Sequence, residues 1–208
     1  WERITQELQK MLVDQHRERA IRLCHDLGLL AMILPELTDI LPQQGDPARR
    51  DTRASSPASR PQDPAARQWW HTLHMLGNLE QPSFELALAA LLHTVPSPTE
   101  QPKRQPLEGT VRGICKRMRL SNHQTDLVGW LVAHQRDLDE AAALPLSRLK
   151  RLLAHQHIGE LLTLARRSVM AEQREPAGIE FAADYLARTP AAVLDPPELI
   201  DGADLQSL

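Results

Sequence analysis

The stretch Ser83-Phe84-Glu85-Leu86-Ala87-Leu88-Ala89-Ala90-Leu91-Leu92-His93 decides the fold class. Phe84, Leu88, Leu91 and Leu92 fall at i, i+4, i+7 and i+8, one face of an α-helix. Ser83 stands where its hydroxyl can cap the first turn. The same period recurs on both sides. Upstream it runs through Ile4, Leu8, Met11 and Leu12, then through Ile21, Cys24 and Leu27, with Gly28 as a left-handed stop. Trp69, Leu73 and Leu76 share another face. Downstream come Val111, Ile114, Cys115 and Met118, and, after a cap at Ser121 or Asn122, Leu127, Trp130, Leu131 and His134. Leu149, Leu152 and Leu153 follow Ser147. Ile158, Leu161, Leu162, Ala165 and Val169 come next, and Phe181, Ala182, Tyr185 and Leu186 end the series before Pro190. No segment alternates as a strand does. The pattern predicts an all-α protein of about nine helices.

The period vanishes between Leu41 and Gln68. That stretch holds five prolines and no large apolar residue after Leu41. Arg49, Arg50, Arg53, Arg60 and Arg67 outnumber Asp46, Asp51 and Asp63. It cannot bury enough apolar surface to offset its ordering entropy and reads as a mobile linker over 41–68. It separates a helical segment, 1–40, from a larger one starting at Trp69.

Composition excludes several function classes. Lys plus Arg total 24 against 27 for Asp plus Glu, a net charge of −3, so no wholesale polybasic coat exists, although local patches can. Aromatics are only 3% of the 208 residues, too few for a base-stacking platform along a single strand. No apolar run reaches the ~18 residues that span a bilayer, and no signal peptide opens the chain. Cys24 and Cys115 each lie on an apolar stripe and read as buried hydrophobes of a reduced, cytoplasmic protein. The chain starts at Trp1 inside a helical pattern and stops just after Asp201-Gly202, as a piece of something longer would.

Candidate chemistry is sparse. His71 and His93 could contribute to a mixed nitrogen and oxygen metal site, but Thr94 stands where an anionic ligand is needed, and the pair reads as core or helix-end histidines. His71-x-x-His74 and His155-x-His157 need partners from elsewhere to hold a metal. Asp137-x-Asp139, beside Glu140, follows a helix and lacks a glycine-rich phosphate cradle, so it reads as a solvated acidic helix end. No Walker loop, nucleophile elbow or dinucleotide fingerprint occurs. The basic residues say more. Lys103, Arg104, Arg112, Lys116, Arg117 and Arg119 crowd into seventeen residues with one acid, Glu108. Arg148, Lys150 and Arg151 form a second group, and Arg166 with Arg167 a third. Phosphate recognition uses such charges on a rigid helical surface.

Several blocks, in order, resemble one family. Arg3-Ile4, Glu7-Leu8, Met11-Leu12, Gly28-Leu29-Leu30 and Ile33-Leu34-Pro35-Glu36-Leu37 resemble the segment after the catalytic head of bacterial tRNA nucleotidyltransferases (CCA-adding enzymes) and poly(A) polymerases. His71-Thr72-Leu73, the Phe84 to His93 block, Ile114 to Asn122, and Leu146 to Ala154 are similar to later segments. Asp201-Gly202-x-Asp204-Leu205 resembles the start of that family's tail motif.

The resemblance implies a helical neck over 1–40, the linker, an HD-like helical body over 69–172 and the start of a C-terminal tail over 173–208. It implies a tRNA or other RNA partner, with Arg112, Lys116, Arg117, Arg119, Lys150 and Arg151 holding phosphates. Nucleotide addition would belong to an upstream head using two aspartates and Mg²⁺, so no residue here inherits a catalytic role. Some members carry a metal phosphohydrolase in the body. Its four ligands would map to His71, His93, Thr94 and Ser168, and Ser97 stands near the usual lysine. With both carboxylates replaced, the expectation is no tightly bound metal. The alternatives are a degenerate HD-type metal phosphohydrolase and a non-catalytic helical interaction module.

Overall fold

The computed structural model describes residues 1–42, 63–94 and 107–194. Among them the secondary structure is entirely helical. The helices are α1 (Glu2–Val13), α2 (Arg17–Asp26), α3 (Leu29–Ile33), α4 (Pro64–Gly77), α5 (Phe84–Leu92) and α6 (Leu107–Arg117), then α7 (Asn122–His134), α8 (Leu146–Leu153), α9 (Ile158–Glu172), α10 (Ala177–Arg188) and α11 (Ala191–Leu194). Short 3-10 helices cover Pro35–Ile40 and Ala141–Ala143. The count exceeds the expected nine because α3 and α11 span about one turn each, too short to show a period. No described helix is long and apolar enough to cross a membrane.

The sequence punctuation works locally as read. Ser83 accepts from the Leu86 amide, and Ser121 and Gln124 form a reciprocal capping box at the start of α7. Gly28 has φ 73° between α2 and α3, a left-handed turn that costs glycine little.

The period of α5 understates its burial. Phe84, Leu86 and every residue from Ala87 to Leu92 are buried, so the helix is apolar all round and forms the centre of the protein. Helices α1, α4, α7 and α9 pack around it, and α6 lies on α7. The described part of the linker differs from expectation at its C-terminal end. Asp63 accepts a 2.8 Å hydrogen bond from the Ala66 amide and Pro64 takes the first helical position, so α4 begins five residues before Trp69. Residues 43–62 lie outside the described residues, as do Ser97, Lys103, Arg104 and the Asp201-Gly202 motif.

Residues 1–40 and the segment from Trp69 onward share one apolar core, which runs from Leu8, Leu12 and Ile21 through Leu76 and Leu88 to Leu161 and Ile179. Arg17 fastens the two. Its side chain is buried, and it donates to Leu12 O at 3.0 Å, Leu79 O at 2.7 Å and Leu76 O at 3.3 Å. These are carbonyls at the C-terminal ends of α1 and α4, where partial negative charge gathers and intrahelical donors run out. Burial pulls the guanidinium pKa below its ordinary value, against the opposing charge of Asp14. Beyond residue 172, Ile179 and Ala182 are buried in the same core, and α10 lies on the Ala141–Ala143 turn.

Candidate nucleic-acid interface

Helix α6 buries Val111, Ile114 and Cys115, with Met118 just after its end, and leaves Arg112, Lys116 and Arg119 exposed. Its C-terminus is a two-bond Schellman turn: Arg119 N donates to Lys116 O and Leu120 N to Cys115 O, both at 3.0 Å. Arg119 occupies the left-handed position at φ 58°, where glycine is usual. Its exposed guanidinium meets Glu2 at 2.7 Å, and Arg112 meets Asp126 at 3.0 Å. Ion pairs this exposed contribute ~0–1 kcal/mol, so a phosphate can displace either carboxylate at small cost.

Arg117 stands apart from its neighbours. It grips Glu36 through two bonds of 2.6 and 2.8 Å, donates to Ile33 O and lies 5.4 Å from the centroid of the Trp1 ring. Burial raises the Glu36 carboxyl, but the hydrogen bond and charge of Arg117 outweigh it and hold the carboxyl below the usual range. Arg117 therefore ties the end of α6 to the Ile33–Glu36 turn, and its two terminal nitrogens are already engaged.

The second basic group is on a different support. Helix α8 packs on α10 and α11, with Lys150 half-buried and Arg151 donating to Ser147 O in its own helix. In the third group, Arg166 pairs with Glu180 and Arg167 with Glu80. The acidic pair is split between partners. Asp137 accepts from His134 at 2.8 Å and pairs with Arg148, while Asp139 pairs with Arg174 at 2.9 Å.

The body brings His71 and His93 together with Thr94 and Ser168, but not as a metal site. His93 Nε2 lies 2.9 Å from His71 Nδ1. The outer nitrogens face carbonyls: His71 Nε2 meets Ser168 O at 3.0 Å and His93 Nδ1 meets Ala90 O at 2.6 Å. Ser168 thus contributes its backbone, and Thr94 Oγ1 is buried with no partner among the described residues. Three contacts need three N–H groups, whereas two neutral imidazoles carry two. Burial pushes both rings below the ordinary value, His93 to about 3, and the charge of His71 adds to the effect on His93 as those of His74 and Arg174 add to the effect on His71. The inner nitrogens, His71 Nδ1 and His93 Nε2, face each other, and the one carboxylate near the pair among the described residues, Glu172, lies 3.8 Å from the outer His71 Nε2. No group of three His, Cys, Asp or Glu among the described residues is arranged to hold an ion. The donor set does not fit the catalytic metal that the resemblance implies.

Residues 1–41 match the family described as "probable RNA and SrmB-binding site of polymerase A". The match supports an RNA-binding role, and hence an RNA partner, for this poly(A) polymerase-like region. Glu2 and Glu36, which hold Arg119 and Arg117, both lie inside the matched segment, as does Thr5, whose hydroxyl donates to Met118 O at 2.8 Å. No curated protein matches the chain.

Proposed function

We propose that this chain is the RNA-gripping neck and body of a tRNA nucleotidyltransferase or poly(A) polymerase. It holds a tRNA, or another RNA, so that the 3′ end reaches a Mg²⁺-dependent head elsewhere in the cytoplasmic protein. The observation that carries the reading is the family match over residues 1–41, a segment that docks through Glu2 and Thr5 at the C-terminal end of α6, beside Arg119. Arg112, Lys116 and Arg119 position phosphates, Lys150 and Arg151 extend the grip, and Arg117 keeps the neck in place. The test is tRNA affinity across a salt series. Each phosphate neutralised contributes about −0.7 to −0.9 to the slope of log affinity against log salt, so three contacts on α6 give a slope steeper than about −2. A flat series, or no binding at low salt, overturns the reading.

A second reading, a protein-docking module, is favoured by one observation. Leu23, Leu27, Leu29 and Met32 are exposed large apolar residues within the matched segment, Met32 at 78%. The family description couples RNA with a protein, SrmB. Titration with purified SrmB tests it. Loss of binding in Leu27→Glu and Met32→Glu, with tRNA affinity unchanged, places a protein partner on this face.

A further inference from the structure

We propose that the cleft between α7 and the α8–α9 turn receives one unpaired nucleotide of the bound RNA, a proposal that rests on the RNA-binding reading above. The cleft has a volume of about 490 Å³, within the range of small-molecule sites. Arg112 lines it from α6, Trp130 and His134 from α7, and His155 and His157 from the turn that follows α8. It therefore continues the phosphate-binding edge of α6 toward the second basic group.

The lining offers each kind of contact a nucleotide needs. Trp130 and His155 are stacked, their ring centroids 3.6 Å apart and their planes 12° apart, and His134 lies 5.3 Å from Trp130. The facing surfaces of the two rings cover each other, so a base entering the cleft extends the stack from its outer face, and every base has a π-face to do so. His157 N donates to His155 Nδ1 at 3.2 Å, which leaves the His155 Nε2–H as a donor. His157 donates from Nδ1 to Glu160 at 2.9 Å, and its Nε2 is buried with no partner among the described residues. In the neutral ring that nitrogen is an acceptor, suited to the exocyclic amine of a base or to a ribose hydroxyl. Arg112 supplies the cation for the flanking phosphate, exchanging the exposed Asp126 carboxylate for it. A metal fits less well, because His155 accepts at Nδ1 and so carries its proton on Nε2, which leaves His157 Nε2 as the one lone pair the two rings offer, and no group of three His, Cys, Asp or Glu is arranged to hold an ion among the described residues.

The test compares two RNAs against the 208-residue chain: a hairpin with a four-nucleotide 3′ overhang and the same hairpin blunt-ended. The expected result is tighter binding of the overhang RNA, with tryptophan fluorescence quenched as it binds and the quenching lost in Trp130→Leu. His155→Ala and Trp130→Leu each weaken overhang binding at least about fivefold and leave blunt binding unchanged, as loss of one stacked base requires. Lys116→Ala weakens both RNAs equally. His155→Ala removes a half-buried ring from a turn outside the apolar core, so it remains informative if Trp130→Leu fails to fold. Equal affinity for the two RNAs, with His155→Ala silent and Lys116→Ala damaging, overturns the cleft while the RNA-binding reading stands. Absence of binding to either RNA removes both. Stoichiometric Zn²⁺ binding abolished by His155→Ala, with no preference for the overhang, replaces the nucleotide by a metal.

Discussion

Arg17→Ala is expected to destabilise neck and body together. In the folded protein the Arg17 guanidinium serves three buried carbonyls, Leu12 O, Leu76 O and Leu79 O, at 3.0, 3.3 and 2.7 Å. A buried polar group left without its partner costs ~1–3 kcal/mol. Three such losses set an upper figure of several kcal/mol, and water entering the vacated space recovers part of it. The expected net loss is about 3–5 kcal/mol. Arg17→Lys keeps the charge but cannot span two helix ends with one ammonium, so it is expected to fall about midway. Exposed Arg19→Ala provides the comparison, expected within about 0.5 kcal/mol of the parent. Urea denaturation followed by helical circular dichroism measures all three. Because one core runs through both segments, a single transition is expected, with an unchanged slope and a shifted midpoint. A loss below about 1 kcal/mol for Arg17→Ala, or separate neck and body transitions in the parent, would refute the reasoning.

Three further predictions concern the candidate site and its supports. Arg119→Gly relieves a side chain held at φ 58° and is expected to stabilise the fold by about 0.5–1 kcal/mol, while flattening the salt slope of RNA binding by roughly one contact; thermal unfolding and filter binding read the two effects. Gly178→Ala builds a Cβ against Asp139 O and 2.5 Å from Leu138 O, backbone that cannot step aside, so a loss of about 2–3 kcal/mol in chemical denaturation is expected. The His71–His93 pair is expected to make stability fall with acid. Both folded-state pKa values lie below the ordinary 6.5, so the unfolded chain binds protons that the folded chain refuses. The stabilisation is complete above about pH 6.5 and is lost as pH drops toward the folded value of His93, about 3. Urea midpoints between pH 7.5 and 5 should fall less steeply in His93→Gln; identical slopes in variant and parent would reject this.

Helix positions were legible because the forces that set them are local. The apolar period, the Ser83 and Ser121 caps and the Gly28 stop act within one or two turns, and each works in the structure as its residue type requires. The early start of α4 also had a local signal: Asp63-Pro64 is a cap followed by a first-turn proline, hidden by the proline-rich run before it. The basic residues were legible as a group but not as individuals. Arg112, Lys116 and Arg119 share an exposed edge, whereas Arg117, one residue from Lys116, is bound to a carboxylate 81 residues away. Helical spacing gives direction from the axis and is silent about what waits there.

By itself, then, the sequence determined that the chain is helical, where most helices begin and end, which faces are apolar, and that neutral Thr94 and Ser168 stand at two positions where the resemblance implies ligands. Only the tertiary structure decided which polar groups meet. Arg17 seals two helix ends across 62 residues, His71 and His93 turn their nitrogens toward each other across 22, and Trp130 joins histidines from another turn to make a cleft. The physical reason is that hydrophobic burial is non-directional and leaves its mark as a period, whereas a hydrogen bond or a ring stack depends on the placement of two particular groups that the period does not encode.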